Sequence, residues 1–244
     1  MTPYYDHAGI TIYHGDCREI LPLVHADVVV TDPPYGVRYV SNWRAEKHLP
    51  IHGDNVLPLD VLGLLQVRDG GAVYWFCREG DIGAFNSAAF ELGWNVRRAL
   101  CWDKGAWASG DLEGDWGAQY ETIAWAAVGR HLLRGSRPGN LLRCARVSSA
   151  AHPTAKPEPL IEKIISVSSD EGQMVLDPYM GSGTALVAAK KLGRRAIGIE
   201  IEERYCEIAA KRLAQEVLDF GPATPEPEQV GLLGNADASS KGAA

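Results

Sequence analysis

Gln173-Met174-Val175-Leu176-Asp177-Pro178-Tyr179-Met180-Gly181-Ser182-Gly183-Thr184 reads as a strand, a tight turn and the start of a helix. The apolar run at 173–176 has the composition of a buried parallel strand, and Gly181 and Gly183 let the backbone come close to a ligand facing the helix that follows. A second apolar, β-branched run at 26–31 ends in Asp32-Pro33-Pro34-Tyr35. Both Asp32 and Asp177 are thereby predicted at strand C-termini, where the ligand crevice of an open α/β sheet lies.

Working outward, the same alternation continues. Residues 10–13 predict a strand ending in Gly15-Asp16, residues 17–23 a short helix and residues 72–76 a strand. Leu57, Val61, Leu64 and Leu65 have helical spacing, as do Ile82, Phe85, Ala89 and Leu92. The runs 96–102 and 122–128 are strand-like and are separated by a Gly- and Asp-rich loop with no room for a crossover helix, so they should pair antiparallel. Beyond them come a helix at 159–167 with Leu160, Ile161, Ile164 and Ile165 inward, a helix at 184–192, a strand at 195–199 and an amphipathic helix at 203–218. Repeated β-α units with one antiparallel pair predict a three-layer α/β sandwich around a mostly parallel sheet.

A chain of 244 residues that is 46% hydrophobic can bury one substantial core. Residues 1–220 are expected to form that single domain. From Gly221 the chain is rich in Pro and Gly and poor in large apolar side chains, so 221–244 is expected to be a disordered tail. No basic and apolar leader opens the sequence, and no apolar run approaches the roughly 20 residues that cross a bilayer, which predicts a cytoplasmic protein with no membrane partner. The five cysteines form no Cys-x-x-Cys, and His48 and His52 are interrupted by Pro50, so neither a disulfide framework nor a metal site is expected.

The net charge of −7 argues against nonspecific nucleic-acid binding, but its distribution does not. Residues 122–157 contain no Asp or Glu, while Arg130, Arg134, Arg137, Arg143, Arg146 and Lys156 all fall inside. Such an island can hold phosphates on an acidic protein, the alternative being a solvated face. Trp43, Trp107 and Trp116 fall in predicted loops, where they could stack on bases or simply pack.

The chemistry is concentrated in the two motifs. Glu200, at the end of the strand after the glycine loop, is placed to accept both hydroxyls of a ribose, which favours a bound nucleoside over a bare β-α turn. Asp32-Pro33-Pro34-Tyr35 supplies what modification of a nucleobase amine needs. The amine lone pair is delocalised into the ring and must be localised by acceptors for the two N–H bonds. The Asp32 carboxylate and the Pro33 carbonyl can be those acceptors, and the prolines fix the turn that aims them. Tyr35 would stack on a base that has left its duplex.

From residue 11 to residue 218 the chain resembles the DNA amino-methyltransferases of the N6-adenine/N4-cytosine group, in the β-class order with the catalytic tetrad ahead of the cofactor loop. The resemblance implies a Rossmann-like fold with a seven-stranded sheet containing one antiparallel strand, S-adenosylmethionine as methyl donor, double-stranded DNA as substrate and no metal. It implies catalytic roles for Asp32, Pro33, Pro34 and Tyr35. For the cofactor it implies Asp16, Cys17, Asp177, Pro178, Tyr179 (where the family has Phe), Gly181, Ser182, Gly183, Thr184, Glu200 and Ile201. Asp16 would meet the adenine, while Thr154 and Lys156 in His152-Pro153-Thr154-Ala155-Lys156-Pro157 would cap the methionine end.

Adenine N6 is the expected acceptor, since the family's cytosine enzymes more often carry Ser where this chain has Asp32. An N4-cytosine enzyme is the alternative. An RNA or protein-glutamine amine methyltransferase is disfavoured by motif order, and an inactive DNA-binding subunit by the intact motifs. C5 methylation needs a Pro-Cys nucleophile, which is absent. The family's target-recognition insertion would have only residues 129–151 here. DNA contacts are therefore expected from Arg130, Arg134, Arg137 and Arg143, from Arg38, Arg44 and Lys47 after the tetrad, or through recognition as a homodimer. A place in restriction-modification is one role the resemblance allows.

Overall fold

The computed structural model describes residues 2–35, 57–107, 113–114, 116–146 and 156–215. Arg38, Trp43, Arg44, Lys47, His48, His52, Thr154 and the tail at 221–244 lie outside the described residues, as does the predicted end of the last helix at 216–218.

The described chain runs β1 (Tyr5–His7), β2 (Ile10–His14), α1 (Cys17–Ile20), β3 (His25–Thr31), β4 (Gln66–Cys77), α2 (Ile82–Glu91), β5 (Asn95–Val96), β6 (Leu100–Asp103), β7 (Tyr120–Ala127), β8 (Leu141–Arg143), α3 (Glu158–Ser168), β9 (Met174–Asp177), α4 (Thr184–Lys191), β10 (Arg195–Glu200) and α5 (Glu203–Ala214). All of the strands join one sheet in the order β1-β2-β10-β9-β3-β4-β7-β6-β8, with β5 paired to β7. The strands of four residues or more, from β2 to β6 along that order, form the seven-stranded sheet implied by the resemblance. Of these, β2, β10, β9, β3 and β4 are parallel and β7 runs against both of its neighbours. The antiparallel pair read from the sequence is β6 with β7, in the register Leu100 to Ile123.

The central strands are apolar on both faces, as a sheet covered by helices on each side requires. Along β4, Ala72, Tyr74 and Phe76 enter a core shared with α3, α4 and α5, whereas Val73, Trp75 and Cys77 enter a second core shared with α1 and α2. Three layers follow directly from that alternation.

Two short strands, β1 and β8, escaped the sequence reading, and the run read at 96–102 is divided between β5 and β6. The β1–β2 hairpin turns through Ala8 and Gly9 at φ 50° and 80°, and a non-glycine residue in that region carries little warning in sequence. The helical spacing around Val61 becomes a 3-10 helix, Leu59–Leu64, short enough for i→i+3 bonding to win.

Candidate active site

Although far apart in sequence, β3 and β9 lie side by side in the sheet, and this brings the two motifs together. The Thr31 hydroxyl, at the last position of β3, donates to Asp177 Oδ1 at 2.7 Å, and the Tyr179 N–H donates to the same oxygen at 3.1 Å. Asp32 follows Thr31 directly, and Glu200 ends β10 on the other side of β9. Three carboxylates therefore stand at the C-terminal edges of three neighbouring strands. Burial pushes the Asp177 carboxyl up to about 7, against the pull of its two hydrogen-bond donors, with Asp32 and Glu200 adding to the rise.

The glycine loop is built around Glu200. The Gly181 N–H donates to Glu200 Oε2 at 3.0 Å and the Glu202 N–H to Oε1 at 2.9 Å, so the carboxylate is aimed by two backbone donors. Burial raises its pKa, and those backbone donors offset part of the rise. Gly181 and Gly183 take φ of 50° and 79°. A Cβ on Gly183 would stand 2.7 Å from the Ala209 Cβ, which shows how tightly α5 packs on the loop. Arg212 of α5 donates to the Ser182 carbonyl at 2.6 Å and to its hydroxyl at 3.2 Å. The Gly15 N–H donates to the Glu200 carbonyl at 2.9 Å, which ties the Asp16 turn to the same edge.

Around this edge the predicted cofactor residues fall as follows. Asp16 caps α1 by accepting from the Arg18 N–H at 2.9 Å, and Cys17 is buried behind it. Tyr179 sets its ring edge-on to Trp75 at 6.4 Å, and its hydroxyl is buried beside the Cys17 thiol. Burial, with Cys17 nearby, raises the Tyr179 pKa. Ile201 is 41% exposed beside Glu200. An aimed carboxylate with unused lone pairs, a backbone free of side chains at Gly181 and exposed apolar surface next to it suit a nucleoside diol, so the residues present fit the implied cofactor.

At the Asp32-Pro33-Pro34-Tyr35 tetrad, both oxygens of Asp32 are engaged by the protein itself. The Tyr35 hydroxyl donates to Oδ1 at 2.6 Å and the Lys156 ammonium to Oδ2 at 2.5 Å. Burial, with Asp32 and Glu121 close by, raises the Tyr35 pKa well above its usual value and keeps the hydroxyl a donor. Lys156 lies over the Phe76 ring at 5.2 Å and also meets Glu121 Oε2 at 3.3 Å. Glu121 Oε1 is held by Lys104 at 3.2 Å. Among the described residues, Lys156 is thus set against the tetrad. Glu121 and Lys104 were not singled out from the sequence. The available signal was an acid within the otherwise apolar run of β7.

The basic island is dispersed by the path of β7. That strand descends from the edge that carries Asp32 to the opposite edge, where the Gly70 N–H donates to the Val128 carbonyl at 2.8 Å. Arg130 borders a cleft there with Asp27 and Asp69, and Arg134 pairs with Asp170 at 2.8 Å and donates to the Leu132 carbonyl. Arg137 lines an apolar cavity of about 430 Å³ between α3 and the sheet, with Trp125 and Lys163. Only Arg143, on β8, 3.6 Å from Asp103 and 80% exposed, stands at the Asp32 edge of the sheet among those four. Among the described residues, no group of three or more potential ligands could hold a metal, and no helix is long and apolar enough to cross a membrane.

Comparison with known proteins converges on one group. A DNA methylase family matches residues 130–211. The chain is 30% identical over 254 residues to the Type II methyltransferase M2.DpnII of Streptococcus pneumoniae, an alignment covering 88% of this chain and 93% of that protein. The crystal structure of the M1.HpyAVI–SAM complex superposes with a TM-score of 0.68 at 29% identity, over 83% of this chain and 99% of the other. The cytosine-N4-specific PvuII DNA methyltransferase shares the fold, with a TM-score of 0.69 at 18% identity over 87% of this chain and 89% of its own.

Proposed function

As the chain belongs to the family of DNA amino-methyltransferases, we propose that it methylates the exocyclic N6 amine of an adenine turned out of duplex DNA. S-adenosylmethionine supplies an electrophilic methyl group when bound at the glycine loop. The observation that carries this reading is the Asp32 carboxylate, held by Tyr35 at 2.6 Å one strand away from the Asp177–Glu200 cradle.

The chain's own residues divide the work. Glu200 accepts the ribose hydroxyls, and the backbone at Gly181 and Gly183 leaves room for the rest of the nucleoside. Asp32 and the Pro33 carbonyl accept the amine hydrogens, which localises the nitrogen lone pair toward the methyl carbon. With S-adenosylmethionine held there, transfer of its methyl group would leave a positive charge on the amine nitrogen next to Asp32. A carboxylate beside the nitrogen is then stabilising, and it is placed to take the proton that the product amine sheds. Adenine is favoured over cytosine by Asp32 at the first tetrad position. The short 129–151 segment offers little surface for reading bases, which favours recognition by two copies across the duplex.

The test is transfer of a labelled methyl group to duplex DNA, followed by hydrolysis to nucleosides. N6-methyldeoxyadenosine is the expected product, and N4-methyldeoxycytidine would reverse the base assignment. Asp32→Ala should lower the rate by at least about two decades, the cost of a lost charged acceptor, while cofactor affinity stays within a few fold. Turnover within a tenth of wild type would refute the role of Asp32.

A further inference from the structure

An ammonium in contact with the acceptor carboxylate works against this reaction. Positive charge builds on the target nitrogen during transfer, so Asp32 lowers the barrier and an adjacent cation raises it. Lys156, 2.5 Å from Asp32, would by itself cancel much of the carboxylate's effect. The side chains of Lys104 and Lys156 are only 5% and 11% exposed, so water does little to screen either charge.

The charges form an alternating row, Asp32–Lys156–Glu121–Lys104, whose formal sum is zero. Glu121 reaches this edge because β7 is antiparallel. Its Thr122 pairs with Cys77 at the end of β4, and Glu121 itself, opposite Trp102, continues beyond that end. We propose that Glu121 is a positioning residue for methyl transfer, holding Lys156 and offsetting its charge so that Asp32 remains an effective acceptor for the amine.

An ammonium has three donors, so Lys156 can give its bond on Asp32 to the incoming amine and turn toward Glu121. Lys104 keeps Glu121 in place as this happens. Burial pushes the Lys156 pKa down, but Asp32 and Glu121 outweigh it and hold it above the ordinary value. Burial likewise pushes Glu121 up, while Lys156 and Lys104 hold it below the usual carboxylate range. The other titratable groups facing the row among the described residues are Tyr35 and Cys77, both raised by burial and therefore neutral near pH 7, and Asp177 beside Asp32, whose carboxyl burial pushes up to about 7 in wild type and variants alike.

The proposal rests on Asp32 as the amine acceptor and is tested by single-turnover methyl transfer to duplex DNA. Glu121→Gln should slow transfer by about 10- to 100-fold with the cofactor and DNA affinities within a few fold. Its rate should recover as pH rises, because Lys156 has lost one of two counter-ions and sheds its proton at lower pH. Lys156→Met alone should also be slow, since two carboxylates then repel each other with no cation between them to hold Asp32 toward the amine. The double variant Glu121→Gln with Lys156→Met should transfer faster than either single variant, which a packing defect would not produce. If Glu121→Gln does not fold, the double variant against Lys156→Met carries the test. A double variant no faster than the single ones, or Glu121→Gln with wild-type rate and pH profile, would overturn the proposal. If wild type itself transfers no methyl group to a base amine, the reading of Asp32 fails instead.

Discussion

Asp177 places a carboxyl among apolar strands with one hydroxyl and one backbone donor to satisfy it. Its folded pKa of about 7 lies above the ordinary 3.8, so the folded state holds the proton more tightly than the unfolded chain. That contribution to stability is complete below about pH 4 and is lost as the pH rises through 7. Urea unfolding of wild type against Asp177→Asn isolates it. The difference between the two should shift against wild type by an amount on the order of 4 kcal/mol between pH 4 and 7, then level off. A constant difference across that range would mean that Asp177 is ionised throughout. Near neutrality this residue is balanced between two charges, bonded to the Thr31 hydroxyl one residue before Asp32.

At the scale of elements, the glycine loop and α5 act as one piece. Gly183→Ala must resolve a 2.7 Å approach to Ala209 at a φ of 79°, and should cost about 1–3 kcal/mol in thermal or urea unfolding. Glu200→Ala should instead show in calorimetry as at least a tenfold weaker affinity for S-adenosylmethionine, since the aimed acceptor is gone. The loop was legible in sequence because each of its requirements has a residue signature: apolar strand, glycines, then a carboxylate one strand later. The tetrad was legible for the same reason, as was the antiparallel β6–β7 pair, whose connection left no room for a crossover helix. The row beyond Asp32 was not. Glu121 and Lys104 meet Lys156 only through the pairing of β7 with β4 and β6, and a contact made by register between distant segments leaves no local mark. The island 122–157 misled in the opposite direction, because nearness in sequence was read as nearness in space.

For the whole molecule, that dispersal decides which cations can meet DNA. Arg134 pairs with Asp170 at the edge away from Asp32, so Arg134→Ala should leave the salt dependence of DNA binding unchanged. Arg143→Ala, at the catalytic edge, should reduce the slope of log K against log salt by roughly 0.9, the share of one phosphate contact. Equal effects from the two variants would move the DNA path to the opposite edge. The sheet order that makes the site also governs how the protein is made. β2 and β3 are neighbours in sequence, yet β10 and β9 stand between them, and these are the last of the described strands. On the ribosome, one side of β3 and the inner side of β2 therefore have no partner until residues 174–200 have been translated. The apolar strands at the heart of the enzyme wait longest for their cover, and a nascent chain stalled before β9 would present them bare, which makes late synthesis the stage at which this protein most needs a chaperone.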